Sequence, residues 1–369
     1  MFVLHNLPIE LLEIIFNFCD IPTLSKISMV CKQFSILAFE IFAKKSDYLL
    51  VTNQKSKEFS ERCKPLLPSY KFKFTIHYNW INGRCKKNKI YRIEQRAFKK
   101  HVSTNKCILM TKNTVWFCED SNLLAFNRAE NGTIKMNKKI VGTNNSFIKS
   151  IAHCDDYIIS GDVYGIIKHW KIESKKNKRF EIKQSKIHNI NHQIDLINAT
   201  SQHIIISYNN SIKILKYTDD KQSCTEEKEI FCGDKSYAHS YSYQFHAQSF
   251  DPIGTKFAAS SINCGQNTSS FVIYDIDKRT SEFVRKWGSS IYAPFCCCSS
   301  DNLYTFVTGG SAGVLWDQRQ SVAIKAYNVE HDKDICSLEF DNAHIYAAVY
   351  NGLYELDFTG RNHFLTTKK

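Results

Sequence analysis

Between residues 7 and 42 the chain reads LPIELLEIIFNFCDIPTLSKISMVCKQFSILAFEIF, and its apolar residues recur at helical spacing. Leu11, Leu12, Ile15 and Phe16 fall on one stripe. Leu24, Ile27, Cys31, Phe34, Leu37, Ala38 and Ile41 fall on another. Pro8 suits a first helical turn, and Glu10 and Glu13 favour the positive end of that helix. Asp20, just ahead of Pro22, reads as a cap that opens a second helix. Residues 1–45 are therefore predicted to form a small all-α unit of three short helices. So few residues cannot bury every apolar side chain they carry, and the excess calls for a partner surface.

Residues 46–69 read as a connector, with Pro65 and Pro68 ending any long helix. From Tyr70 to the end, short Ile-, Val-, Phe- and Tyr-rich runs alternate with Asn, Asp, Gly and Ser clusters, so residues 70–369 are predicted to be all-β. Six segments there share one shape: an apolar strand, a tight turn, and a second strand closing on a large residue. The closing residues are Phe126, Trp170, Leu215, Tyr274, Trp316 and Leu356, spaced by subtraction at 44, 45, 59, 42 and 40. Periods of this size in all-β texture predict propeller blades of four strands. The long interval is assigned to a longer turn at 263–270. Asn351-Gly352 is a strong two-residue turn signal, Asn209-Asn210 a usable one, and Gly309 to Gly313 supplies permissive backbone. Ser160 to Trp170 spans ten positions and Thr308 to Trp316 eight; the even difference keeps the side chains on the same face.

At 43% hydrophobic and 13% aromatic, the 369-residue chain can fill a sizeable core. Its first residues lack a basic segment and a cleavage site, and no apolar run is long enough for a membrane span, so no membrane is expected. The 14 cysteines are then read as reduced small hydrophobes in a cytoplasmic or nuclear protein. Net charge is +13, from 49 Lys and Arg against 36 Asp and Glu. The basic residues cluster at Lys86-Lys87, Lys99-Lys100, Lys138-Lys139 and Lys175 to Arg179. Such a balance attracts acidic partners without choosing among them. A solvated Lys- and Asn-rich surface accounts for it, and the 175–179 cluster reads as a loop before it reads as a nuclear import signal.

The first 45 residues resemble an F-box: Leu7-Pro8-x-Glu10-Leu11, Ile15-Phe16, Leu24, then Val30-Cys31-Lys32-x-Phe34 with Leu37. The resemblance implies that Leu7, Pro8, Leu11, Leu12, Ile15, Phe16, Leu24, Ile27, Val30, Cys31, Phe34 and Leu37 bind the Skp adaptor, and through it a cullin–RING scaffold. The repeats resemble degenerate WD repeats, with Trp316-Asp317 as the one literal Trp-Asp pair. The family's buried polar network cannot be assembled in full from any repeat, and the second has Tyr164 where the turn Asp is expected. Together the two parts look like an F-box/WD-repeat protein. That resemblance is carried furthest by Trp80 to Lys86, Cys264-Gly265 ahead of Phe271 to Asp275, and His344 to Phe358. The fold expected is a three-helix F-box followed by a propeller of six to seven WD-like blades. The family implies seven, so residues 70–98 are expected to supply strands of the further blade, failing which the ring closes with six.

No nucleophile–base pair, phosphate loop, paired carboxylates or dinucleotide fingerprint occurs, so neither catalytic residues nor cofactors are expected. Cys296, Cys297 and Cys298 lack zinc spacing, and His188 and His192 lack the Glu of a zincin, so no metal is expected either. The function expected is that of a non-catalytic substrate receptor in a Skp–cullin–F-box ubiquitin ligase. The F-box would hold the adaptor and the propeller an unknown protein substrate; nucleic acid is not expected. Lys168, Lys213 and Arg319 are the candidate substrate contacts on the propeller. Two rivals stand beside this reading. One is a propeller scaffold or nucleic-acid-associated protein with a vestigial F-box. The other is a receptor of a different cullin ligase, suggested by Trp316-Asp317-Gln318-Arg319 as a WDxR pattern.

Overall fold

The computed structural model describes residues 7–53, 57–64, 70–93, 107–174, 180–199, 202–208, 211–217, 224–231, 246–250, 256–263, 268–275, 283–289, 297–299, 304–317, 319–320, 322–330 and 333–360. Three helices open the chain: α1 (Ile9–Phe18), α2 (Ile21–Ile27) and α3 (Lys32–Ser46). Pro8 caps α1 through its carbonyl, which accepts from Leu11 N and Leu12 N at 3.1 Å. Asp20 caps α2, accepting from Thr23 N at 2.9 Å. The bundle closes on Leu12, Phe16, Leu24, Phe34, Leu37, Ala38 and Ile41. Phe16 and Phe34 meet edge to face at 5.2 Å.

Two further helices follow, α4 (Lys57–Arg62) and α5 (Tyr70–Asn82). The second departs from the expected strand texture. Tyr70-Lys-Phe-Lys-Phe alternates like a strand, but the longer spacing decides: Phe72, Ile76 and Trp80 form one helical stripe, Tyr70 and Phe74 another. The first stripe packs into the core of the β region and the second into the three-helix bundle. One helix thus completes two cores, which a strand of alternating sides could not do in this register.

The described strands from residue 86 onward form a β-propeller. Five four-stranded antiparallel sheets are continuous in sequence. They are β2 to β5 (Ile108–Met110, Thr114–Glu119, Asn122–Arg128, Ile134–Thr143); β6 to β9 (Ile148–Cys154, Tyr157–Asp162, Ile166–Ser174, Phe180–Asn189); β10 to β13 (Leu196–Ala199, His203–Tyr208, Ser211–Tyr217, Cys224–Phe231); β14 to β17 (His246–Phe250, Lys256–Asn263, Thr268–Asp275, Phe283–Ser289); and β18 to β21 (Cys297–Ser299, Thr305–Gly309, Gly313–Asp317, Ala323–Tyr327). The last sheet is composite. β22 (Ile335–Phe340), β23 (His344–Val349) and β24 (Gly352–Asp357) take their outer strand from β1 (Lys86–Arg92), far back in the chain. Each of the six hairpins recognised in the sequence forms the two middle strands of one sheet.

Residues 70–93 therefore do not build a further blade. They supply a helix and one strand, and that strand joins the beginning of the β region to its end. Gly352, at φ +154°, allows this approach: a Cβ there would lie 2.0 Å from the Tyr91 carbonyl oxygen. The long third interval also needs a second source besides the β15–β16 turn, because residues 232–245 separate β13 from β14.

Antiparallel order fixes two ends for the ring. The first–second and third–fourth strand connections share one end, the second–third connections the other. The helices sit on the first of these ends. Trp80 stacks on Phe358 at 4.0 Å and donates from its indole to the Asn342 carbonyl at 3.2 Å. Asn79 donates to the carbonyls of Phe358 and Gly360 at 2.7 and 2.9 Å. Phe59 packs on Phe340, and Tyr327, reaching across from the far end of β21, donates to the Trp80 carbonyl at 2.7 Å. The end bearing the second–third connections carries no helix among the described residues; it is called the open rim below.

Candidate functional site

The twelve residues expected to bind the adaptor divide sharply by burial. Leu12, Phe16, Leu24, Phe34 and Leu37 face inward and make the bundle's own core. Pro8, Leu11, Ile15, Val30 and Cys31 are exposed, while Leu7 and Ile27 are half-buried. The exposed set is enlarged by residues the sequence pattern left out, above all Ile9, Ile14, Phe18 and Met29. Phe18 is 87% exposed at the end of α1, and Val30 and Met29 are 68% and 62% exposed on the turn before α3. A bundle of this size has too little interior for them, so they form an apolar surface that water must cover. Their signal was present in the sequence: Ile14 and Phe18 stand i, i+4 on α1, opposite the buried Leu12 and Phe16 pair.

The α1 end is held in place by Lys45, whose ammonium donates to the Cys19 carbonyl at 2.7 Å, and by the Lys44–Glu13 ion pair. These contacts tie α1 to α3 while leaving the apolar stripe clear. Cys31 is one of eight free cysteines among the described residues, and most of the others are buried.

The three basic candidates on the propeller do not converge. Lys168 is buried on β8, its ammonium 5.6 Å from the Trp170 ring centroid. Lys213 on β12 pairs with Glu226 at 2.8 Å. Arg319 follows β20, at the end that carries the helices, whereas Lys168 and Lys213 begin strands leaving the open rim. The Arg319 fork is closed on Asp317, with Nε to Oδ1 and Nη2 to Oδ2 both at 2.9 Å, and it lies 4.4 Å from the Tyr304 ring centroid. Any acidic ligand at Arg319 competes with a carboxylate already bound bidentately.

The polar network expected to be incomplete is partly assembled. The Trp170 indole donates to Ser160 Oγ at 2.8 Å, and the Trp316 indole to Thr308 Oγ1 at 2.9 Å. Both hold despite their different spacing, because each Trp lies diagonal to its hydroxyl residue: Trp170 opposes Ile158, and Trp316 opposes Phe306. The turn Asp of the second repeat is Asp162, two residues before Tyr164. Its Oδ1 accepts from Tyr164 N and Ile166 N at 2.9 Å, and Ser146 donates to its other oxygen. This fixed turn presents Tyr164, 70% exposed, on the open rim.

The lysine clusters that are described fall on outer strands. Lys86 and Lys87 lie on β1, Lys138 and Lys139 on β5. Lysine on an edge strand blocks sheet-to-sheet pairing, and that accounts for these clusters without a ligand. Lys99-Lys100 and Lys175 to Arg179 lie outside the described residues, as do Asn209-Asn210, Cys264-Gly265, Cys296 and Gln318. His188 and His192 do not share a helix. His188 lies next to last in β9 beside the His169 ring, and His192 stacks on Tyr208 at 5.2 Å. Among the described residues no group of three metal-ligating side chains occurs, and no helix is long and apolar enough to cross a membrane.

Comparison with known proteins agrees with this geometry at the amino terminus. Residues 4–39 match the F-box domain family. No curated protein matches the chain. Among solved structures, the chain is similar to the WD40 β-propeller domain of Doa1, at 12% identity and a TM-score of 0.45, over 72% of this chain and 97% of that one.

Proposed function

We propose that this protein is a substrate receptor of a Skp–cullin–F-box ubiquitin ligase. F-box domains in general bind the Skp adaptor, and an F-box joined to a propeller fits the receptor role. The observation that carries the reading is the split of apolar residues in the helical bundle. Its core is complete, yet Leu11, Ile14, Ile15, Phe18, Met29 and Val30 remain in water. On this reading the adaptor covers them. The propeller receives the substrate at the open rim, on the end away from the helices, and brings a substrate lysine near a ubiquitin thioester carried elsewhere in the assembly. The acceleration is one of effective concentration, not of chemistry performed by this chain. Within the F-box/WD-repeat proteins we place it nearest F-box/WD repeat-containing protein 4, dactylin, on the passages 80–86, 264–275 and 344–358. We assign it to the cytoplasm or nucleus, where that machinery works.

The test is a purified pull-down with the Skp adaptor and the full chain carrying Ile15→Asp. Ile15 is 40% exposed and outside the bundle core, so the fold is kept while an unpaired carboxylate enters the contact. Binding should fall by about tenfold or more, the equivalent of roughly 1.4 kcal/mol. Undiminished binding would sink the receptor reading. A failure of the unmodified chain to bind the adaptor would favour the scaffold reading, and binding to the linker protein of a different cullin that Arg319→Ala abolishes would favour the other cullin ligase.

A further inference from the structure

Where β1 joins the ends of the β region, one side chain from the first sheet reaches both the last sheet and the segment that leads from the F-box. Arg128, at the end of β4, is fully enclosed, and every nitrogen of its guanidinium donates. Nη1 bonds the carbonyl of Arg62 at 2.8 Å, that of Thr111 at 2.9 Å and that of Lys112 at 3.2 Å. Nη2 bonds the Lys64 carbonyl at 3.5 Å and the carboxylate of Asp341 in the β22–β23 turn. Nε bonds the Gly132 carbonyl at 3.5 Å. Three stretches distant in sequence, 62–64, 111–132 and 341, therefore meet on one planar cation.

The surroundings are built for that meeting. Asp341 also accepts from Ala343 N and His344 N at 2.7 Å and faces the His344 ring at 3.2 Å. Tyr346 donates to the Gly132 carbonyl at 2.7 Å and lies under the Arg128 guanidinium. Gly132, at φ +88°, has no room for a side chain: a Cβ would lie 2.5 Å from His344 and 2.7 Å from the Lys64 carbonyl. Arg62 pairs with Glu339 of β22 at 3.2 Å. A buried cation, its carboxylate and the carbonyls around it leave one another unsatisfied if any part withdraws.

We propose that Arg128 is a positioning residue that makes the 57–64 segment part of the ring's own closure, so that the F-box is held at one fixed direction relative to the open rim. The 57–64 segment is then not a tether. Its docking and the joining of first to last sheet are one cooperative event, and Arg128 is the group they share. This concerns geometry alone and stands whether or not the F-box binds an adaptor.

The test uses the full chain with paired distance probes at Tyr48 and Tyr164, which are 65% and 70% exposed, on the helical unit and the open rim. Arg128→Lys keeps the charge opposite Asp341 but lacks the fork that reaches the 62 and 64 carbonyls together. The unmodified protein should give one narrow distance distribution, and Arg128→Lys a broadened one with β-sheet content retained. An equally narrow distribution in a folded Arg128→Lys protein overturns the proposal. Should that variant fail to fold, hydrogen exchange on the unmodified protein decides. The amides of 57–64 and of the β22–β23 turn should then exchange together, with similar protection. Exchange of 57–64 about tenfold or more faster than that turn contradicts a shared closure.

Discussion

The helical bundle and the propeller answer the same requirement, to bury apolar side chains, with opposite results. In the first 46 residues Ile9, Leu11, Ile14, Ile15, Phe18, Met29, Val30, Ile36 and Phe39 all stand exposed around a complete core. In the described β strands the middle positions are buried almost without interruption, as in Thr114–Cys118 and Gly313–Asp317. Each sheet there has a neighbouring sheet on both faces, and most of the apolar partners come from the ring itself, with α5 adding Ile76 and Trp80 at one seam. Three short helices cannot do so, because their surface is large for their volume. The difference separates a unit that covers nearly all of its described apolar residues from one that leaves a stripe of them in water.

The largest expected effect would come from breaking the bundle's core rather than its surface. Phe34 belongs by pattern with the adaptor contacts, but it is buried against Phe16, so Phe34→Asp should unfold residues 9–46. Loss of a buried Phe costs about 3–5 kcal/mol before the charge is counted, as much as so small a core supplies. Hydrogen exchange should show 9–46 unprotected and the strands of the propeller still protected. With Ile15→Asp, which spares the core, the pair of variants measures how far binding and folding separate in this unit.

The propeller side of the comparison is sharpened by Ser160→Ala. The Trp170 indole would be left buried without its acceptor, a cost of about 1–3 kcal/mol. A urea melt followed through the propeller should show it, with adaptor binding unchanged. A variant as stable as the unmodified chain would mean that apolar packing alone holds that sheet.

A smaller effect tests α5, the helix the two regions share. Burial pushes the His77 imidazole down to about 4 from its ordinary 6.5. Folding then favours the neutral ring. The stability this provides is complete above pH 6.5 and is lost as pH falls from 6.5 towards 4. Over that window the unmodified protein should lose more stability than His77→Gln in parallel melts. Parallel curves would place His77 in water. The smallest effect belongs to Arg319→Ala, which should change stability by less than about 1 kcal/mol and less still at high salt, since the arginine is 45% exposed.

Much of this arrangement was legible along the chain because it is local. A helix shows in four residues and a hairpin in about ten, so the three bundle helices and the six middle hairpins follow from spacing alone. Where the structure departs from the expected elements, two local patterns compete. Tyr70 to Phe74 alternates like a strand, and only the later Ile76 and Trp80 show the helical stripe. The turn Asp of the second repeat, Asp162, stands two places ahead of Tyr164, which fills the position where the pattern expects it.

The amino-acid sequence by itself determined that a helical unit with surplus apolar residues precedes a repeated β region, since periodicity and turn chemistry act between near neighbours. Only the tertiary structure decided which of those apolar residues are interior. Leu12 and Phe16 differ from Leu11 and Ile15 in nothing but the direction from which α3 approaches. It also decided that β1 completes the last sheet, and that Arg128 meets Asp341 across 213 positions. Such contacts form when closing a long loop is offset by burial on both sides, and no short stretch of sequence carries that balance.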